Sequence, residues 1–333
     1  MLKLYTEGHD NVKPDGVSLT TVISAYTQPP LTLTEEILGY FEDIIDLLLN
    51  KSGDFPHTDP DTVVKAFNTI IDNIAKSDTI DNAGERANHF LQKLLDASSL
   101  QMQLRPNSTT YSNVIGAYVK DDDIEKALSM LDQMIDGDLQ YLRSAFSFNK
   151  CLNYYCKKRD IEAAEDLYKT MTDLAKADHD KTSINESSVV DKTTYNMMMD
   201  MYLNMGSDTD SKMVTDKAIK LLEESEDAYK SGIIKSLDMF LFEAVLERLQ
   251  KRSLEKMKSG ISEKSYDLLM KMIDLHFNRH LAHHPDRLTF NLVLSTLARE
   301  CTEEAAKKAM VSFYFLLWKC FFTRRYYLNS FVL

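Results

Sequence analysis

The stretch Ser108 to Met134, STTYSNVIGAYVKDDDIEKALSMLDQM, constrains this chain most, because it is followed by a near copy of itself. Its first half places Tyr111, Val114, Ile115 and Tyr118 at i, i+3, i+4 and i+7, which predicts a short helix with one apolar stripe. Asp121, Asp122 and Asp123 then form an acidic cluster at the start of a second helix, where carboxylates accept free backbone N–H groups and suit the positive dipole end. That helix carries Ala127, Met130, Leu131 and Met134 on one face, with Ala127 small enough to admit a close partner. Such a hairpin cannot bury its own apolar faces, so it needs neighbours.

The neighbour follows directly. In AFSFNKCLNYYCKKRDIEAAEDLYKTM, from Ala145 to Met171, Phe148 matches Tyr111, Asn149 matches Ser112, and Cys151 with Leu152 match Val114 with Ile115. Lys157 falls where Lys120 stood, Ala164 where Ala127 stood, and Met171 where Met134 stood. A repeat of this kind predicts a stack of helical hairpins.

The pattern resembles the pentatricopeptide repeat. The phrases STTYSNVI, KTTYNMMM, VKAFNTII and RLTFNLVL carry the resemblance, with the helix starts DIEKAL and DIEAAE and the loop ends LRPN (Leu104 to Asn107) and HHPD (His283 to Asp286). The Trp-x-x-Leu-Gly signature of the tetratricopeptide relative is absent from the sequence. The resemblance implies an all-α fold: a right-handed α-solenoid of tandem helix-turn-helix repeats, with aromatic anchors at Phe67, Tyr111, Phe148, Tyr195, Phe242 and Phe290. Residues 1–15 read as the tail of a truncated repeat ending in Lys13-Pro14-Asp15, and 16–310 as the helical repeats. Residues 311–333 read as an apolar C-terminal helix or a non-native tail, and the two abrupt ends suggest a fragment.

Within the repeats, Thr34 is expected to cap a helix with Glu35 and Glu36 in its first turn, and Val64 to Lys76 to open the next unit. Anchor spacing grows from 37 residues (111 to 148) to 47 (148 to 195 and 195 to 242) and 48 (242 to 290). The extra residues are assigned to polar loops between helices, at Asp178–Asp191 and Ser207–Lys212.

In the resembling family, first helices line a groove that reads single-stranded RNA. The residue after each anchor faces a base, which here gives Asn68, Ser112, Asn149, Asn196, Glu243 and Asn291. An amide both donates and accepts on a base edge, although Asn is also common at helix starts. The second reading position, the last loop residue before the next unit, falls on Asn107, Ser144, Asp191, Asp238 and Asp286. By resemblance, Asn149 with Asp191 and Asn196 with Asp238 read uridine, and Asn68 with Asn107 a pyrimidine. Ser112 with Ser144, and Glu243 with Asp286, depart from the usual pairs.

A row of cations runs through the same units: Lys76, Lys120, Lys157, Lys251 and Arg299, broken by Asn204. At the ends of first helices they offset the dipole, and stacked along a solenoid they could follow a phosphate backbone. The net charge of -12 argues against nucleic-acid binding overall, without deciding the charge of one groove.

Other chemistry is weakly represented. Cys151, Cys156, Cys301 and Cys320 form no C-x-x-C pair and read as free thiols of a reducing compartment. His276, His280, His283 and His284 have spacings compatible with a metal, but no cysteine or paired carboxylate completes a site. No phosphate loop, nucleophile elbow or cofactor motif is present, and the run AMVSFYFLLWKCFF is too short and too interrupted for a membrane span. The expectation is a non-enzymatic, cofactor-free binder of pyrimidine-rich single-stranded RNA that touches no membrane. What the family implies is a role in RNA processing, stability, editing or translation in a mitochondrion or chloroplast. The rivals are a scaffold for protein partners and a fragment of a larger RNA-processing enzyme.

Overall fold

The computed structural model describes residues 16–27, 33–50, 59–100, 102–181, 188–205, 211–255 and 260–315. These are helical, with short turns and no strand among them. The helices are α1 (Gly16–Thr27), α2 (Glu35–Asn50), α3 (Pro60–Lys76), α4 (Ala83–Leu100), α5 (Ser108–Lys120), α6 (Ile124–Ile135), α7 (Ala145–Lys158), α8 (Ile161–Lys181), α9 (Lys192–Leu203), α10 (Ser211–Lys230), α11 (Met239–Glu255), α12 (Ile261–Phe277) and α13 (Arg287–Glu300). A further helix, α14, covers 303–315. Contacts divide the chain into two compact units, 1–154 and 155–333.

Each unit is built from antiparallel hairpins. In the first, α3 packs on α4, α5 on α6, and the first helices α1, α3 and α5 lie side by side. The second repeats the scheme, with α9, α11 and α13 adjacent and α10 and α12 behind them. The expected anchors form the core, since Phe67, Phe148, Tyr195, Phe242 and Phe290 are at most 2% exposed and Tyr111 is 7% exposed. From the second helices, Phe90, Leu94, Ala127, Met134, Ala164 and Met171 are completely buried. Ala127 and Ala164 are thus small, fully enclosed residues at the matching place of the two repeats.

Turn chemistry holds successive hairpins in place. Of the three clustered aspartates only Asp123 caps α6, accepting from the Lys126 N–H at 3.3 Å. Asp121 ends α5, and its carboxylate instead accepts from the N–H of Gly84 at 2.7 Å, in the first turn of the preceding hairpin's second helix. Asp122 occupies the left-handed region at φ 65°. Gly84 has to be glycine for a steric reason: a Cβ there would lie 2.2 Å from Cδ1 of the buried Tyr118 ring. One contact thus couples a glycine, an aromatic and a carboxylate across two hairpins.

Several boundaries differ from the sequence reading. Helix α3 opens at Pro60 rather than Val64, because Asp59 caps it and proline suits the first helical position. Thr34 does cap α2, with the Ile37 N–H at 3.4 Å from its hydroxyl. The residues added between the later anchors do not all go into loops. Helix α8 runs to Lys181, through the first residues of the expected Asp178–Asp191 loop, and α10 already begins at Ser211. With 21 and 20 residues, α8 and α10 are much longer than the 12-residue α6. Lys, Glu and Ala there favour helix whatever their polarity. Residues 1–15 and 316–333, with Cys320 and the second half of the apolar run AMVSFYFLLWKCFF, lie outside the described residues.

Candidate nucleic-acid interface

The positions expected to read bases are organised by helix caps. Asn107, Asp191 and Asp286 are the N-caps of α5, α9 and α13, and each forms a reciprocal capping box with the threonine three residues on. Their side chains accept from the N–H groups of Thr110, Thr194 and Thr289 at 3.1, 3.0 and 2.8 Å. The threonine hydroxyls accept from the cap N–H groups at 3.1, 3.2 and 3.3 Å. Each box satisfies two backbone donors that a helix end otherwise leaves open. Asn/Asp-x-x-Thr is the sequence signal for this arrangement, with threonine in place of the more familiar glutamate or glutamine.

The residue after the anchor reaches across to the next hairpin's cap. The Asn68 amide donates to Asn107 Oδ1 at 3.3 Å and accepts from the Thr110 hydroxyl at 2.6 Å. Asn196 donates to Asp238 Oδ2 at 3.0 Å, leaving its own buried Oδ1 without a partner among the described residues. Glu243 accepts from the Thr289 hydroxyl at 3.1 Å, beside the Asp286 cap. The two positions expected to read one base are therefore in hydrogen-bond contact in the Asn68 and Asn196 units. Asn68 lies deep within α3 and the others occupy the fifth residue of their helices, so none of these side chains is itself a helix cap.

The remaining positions differ. Ser112 is completely buried and its hydroxyl shares a hydrogen bond with Ser147, which also contacts Ser144 at 3.3 Å. Asn149 is only 6% exposed, whereas Asn291 is exposed. Around Glu243 the local charge is negative: burial, helped by Asp286, Glu247 and Asp238, pushes its carboxyl above the usual range against the lowering effect of the Thr289 bond. Burial likewise pushes the Cys151 thiol up to about 12 and the Cys156 thiol up to about 11, keeping both protonated and inert near neutrality.

The cations separate into two kinds. Lys76 is tied to Asp72 at 2.6 Å, and Arg299, half-buried, donates to Ser253 at 3.1 Å. Lys120, Lys157 and Lys251 are exposed and have no acidic or hydrogen-bonding partner among the described residues. Lys120 closes α5 and Lys157 stands next to last in α7, as expected for ends of first helices, but α11 continues past Lys251 to Glu255. The dipole argument therefore weakens at Lys251.

The histidines serve the fold. The His276 and His284 rings lie 4.9 Å apart, and Tyr229 shares a 2.8 Å hydrogen bond with Nδ1 of His280. Among the described residues no group of side chains could hold a metal ion, and no helix is long and apolar enough to cross a membrane.

The family model for the PPR repeat matches residues 109–139 and 146–174, which are the two hairpins α5–α6 and α7 with the first part of α8. No curated protein matches the chain with significant sequence similarity. Among solved structures, the chain is similar to the pentatricopeptide repeat protein PPR10 from maize, at 19% identity, a TM-score of 0.29, and coverage of 90% of this chain and 43% of that one. The chain thus spans less than half the length of that protein. What the comparison establishes is that two consecutive hairpins of this chain, residues 109–139 and 146–174, match the pentatricopeptide repeat.

Proposed function

We propose that the first helices of this chain bind single-stranded RNA, without catalysis of their own. The observation that carries the reading is the hydrogen bonding that sets Asn68 beside Asn107 and Asn196 beside Asp238. Each pair presents amide and carbonyl or carboxylate groups to one place, as recognition of a splayed-out base requires. Asn149, Asp191 and Asn291 belong to the same series, and Ser112 with Ser144 acts as a spacer whose hydroxyls are occupied within the hairpin interface. Lys120, Lys157 and Lys251 supply the uncommitted charge for phosphates, while Lys76 and Arg299 contribute less because each already has a partner. Asn–Asp pairs favour uridine, so a pyrimidine-rich strand is the preferred ligand. The protein acts by covering or exposing an RNA segment during processing, stabilisation, editing or translation in a mitochondrion or chloroplast.

Replacing Asn196 by alanine tests the base-reading part. It removes a donor to Asp238 and the free carbonyl together, so the variant is expected to lose discrimination at one base, by about 1–3 kcal/mol if its hydrogen bonds match those of direct base readout elsewhere. Binding to oligonucleotides substituted one base at a time reads this out, and equal weakening for every oligonucleotide would remove the assignment.

A second reading, a scaffold for protein partners, draws on the acidic surroundings of Glu243 formed by Asp238, Glu247 and Asp286. Such a surface repels phosphate and suits a basic peptide, so it predicts peptide capture through the α11–α13 unit rather than RNA binding.

A further inference from the structure

Helices α8 and α10 outrun the helix that they share. They have 21 and 20 residues against 12 in α9, so at about 1.5 Å per residue they extend some 12–14 Å beyond it. Between them, with α9 as the floor, lies a cavity of about 730 Å³. That volume is in the range that encloses a small organic ligand.

The lining is aromatic below and charged above. Tyr168 and Tyr195 meet edge to face with ring centroids 6.0 Å apart, and the Tyr168 hydroxyl donates to Glu224 at 2.8 Å. Tyr202 lies under Lys217, whose ammonium is 5.2 Å from the ring centroid and pairs with Glu165. Lys220 is held by Glu224 at 3.4 Å and Asp227 by Lys230 at 3.3 Å. Two lining cations remain: Lys169 and Lys176 are exposed and have no acidic partner among the described residues. They lie on one face of α8 with Thr172 and His179, at i, i+3, i+7 and i+10. Uncommitted positive charge beside an aromatic-floored cavity stands out in a chain of net charge -12.

We propose that this cavity binds a nucleoside monophosphate, its base over the tyrosine floor and its phosphate between Lys169 and Lys176. Two ammonium groups match a phosphate dianion, and the carboxylates of Glu224 and Glu165 offer acceptors for base N–H groups. A solvated pair of lysines would need no cavity, and an apolar void would need no lysines. The site shares no residue with the base-reading or phosphate positions above and does not depend on them.

Isothermal titration of the full chain with uridine monophosphate, uridine and inorganic phosphate tests this. The nucleotide is expected to bind at least tenfold more tightly than either part alone, and Lys169→Ala with Lys176→Ala to weaken it at least tenfold. Both lysines are exposed, so the thermal melt of the double variant should match the parent's, and substitution of Lys264, an exposed lysine of α12 outside both sites, should leave nucleotide binding unchanged. Nucleotide binding no tighter than that of phosphate, or unaffected by the double substitution in a folded protein, overturns the proposal.

Discussion

Phe242→Ala is expected to lower the stability of the chain by about 3–5 kcal/mol, the usual cost of emptying a fully packed aromatic site. Phe242 is completely buried in α11, and α11 packs on α9, α10, α12 and α13 at once. The cavity left by alanine thus weakens several helix interfaces together, because a repeat stack draws its stability from neighbours rather than from isolated hairpins. Phe242→Leu keeps most of the volume and should cost substantially less. Chemical denaturation followed by circular dichroism checks both. Equal small losses, below about 1 kcal/mol in each, would mean that the anchor is not the element on which this unit packs.

The second large effect concerns charge. The triple variant Lys120→Ala, Lys157→Ala and Lys251→Ala is expected to weaken RNA binding for all sequences alike. If each lysine neutralises one phosphate, the slope of log affinity against log salt should fall by about 2, given roughly 0.7 per contact on a single strand. At low salt the loss should approach two orders of magnitude, on the order of 1 kcal/mol for each contact. These three are chosen because they are exposed and uncommitted, so the substitutions leave no buried group without a partner. Lys76→Ala serves as the contrast. It is already paired with Asp72, so its removal should change the slope less. A triple variant with an unchanged salt slope would show that these lysines do not touch phosphate.

The anchors and their partners were legible because burial imposes a period. Phe67, Tyr111, Phe148, Tyr195, Phe242 and Phe290 each sit in an i, i+3, i+4 pattern that only a packed helix explains. The lock between Gly84, Tyr118 and Asp121 was not legible, since its members are up to 37 positions apart (84 to 121) and nothing local marks a glycine as a site of close approach. The lengths of α8 and α10 are hidden in the sequence for a different reason. Asp178 to Lys181 are polar, and three of the four are weak helix formers, so they read as loop, yet they continue a helix already propagating through Ala175, Lys176 and Ala177. The cavity follows from that extra length, so it too was invisible in the spacing of anchors. At the candidate interface, the residue types and their register came from the repeat. Which lysines remained uncommitted came only from the side-chain partners, because Lys76 and Lys120 occupy the same place in their repeats and differ in having an aspartate within reach.

Fluorescence anisotropy of the full chain asks whether the first helices read single-stranded, pyrimidine-rich RNA, as proposed. Labelled U-rich, A-rich and duplex RNA would be titrated at two salt concentrations. The expected result is tightest binding to the U-rich strand, weaker binding to the A-rich strand, little to the duplex, and a loss of affinity as salt rises. A folded chain that binds none of the three, or binds all of them equally, would contradict it.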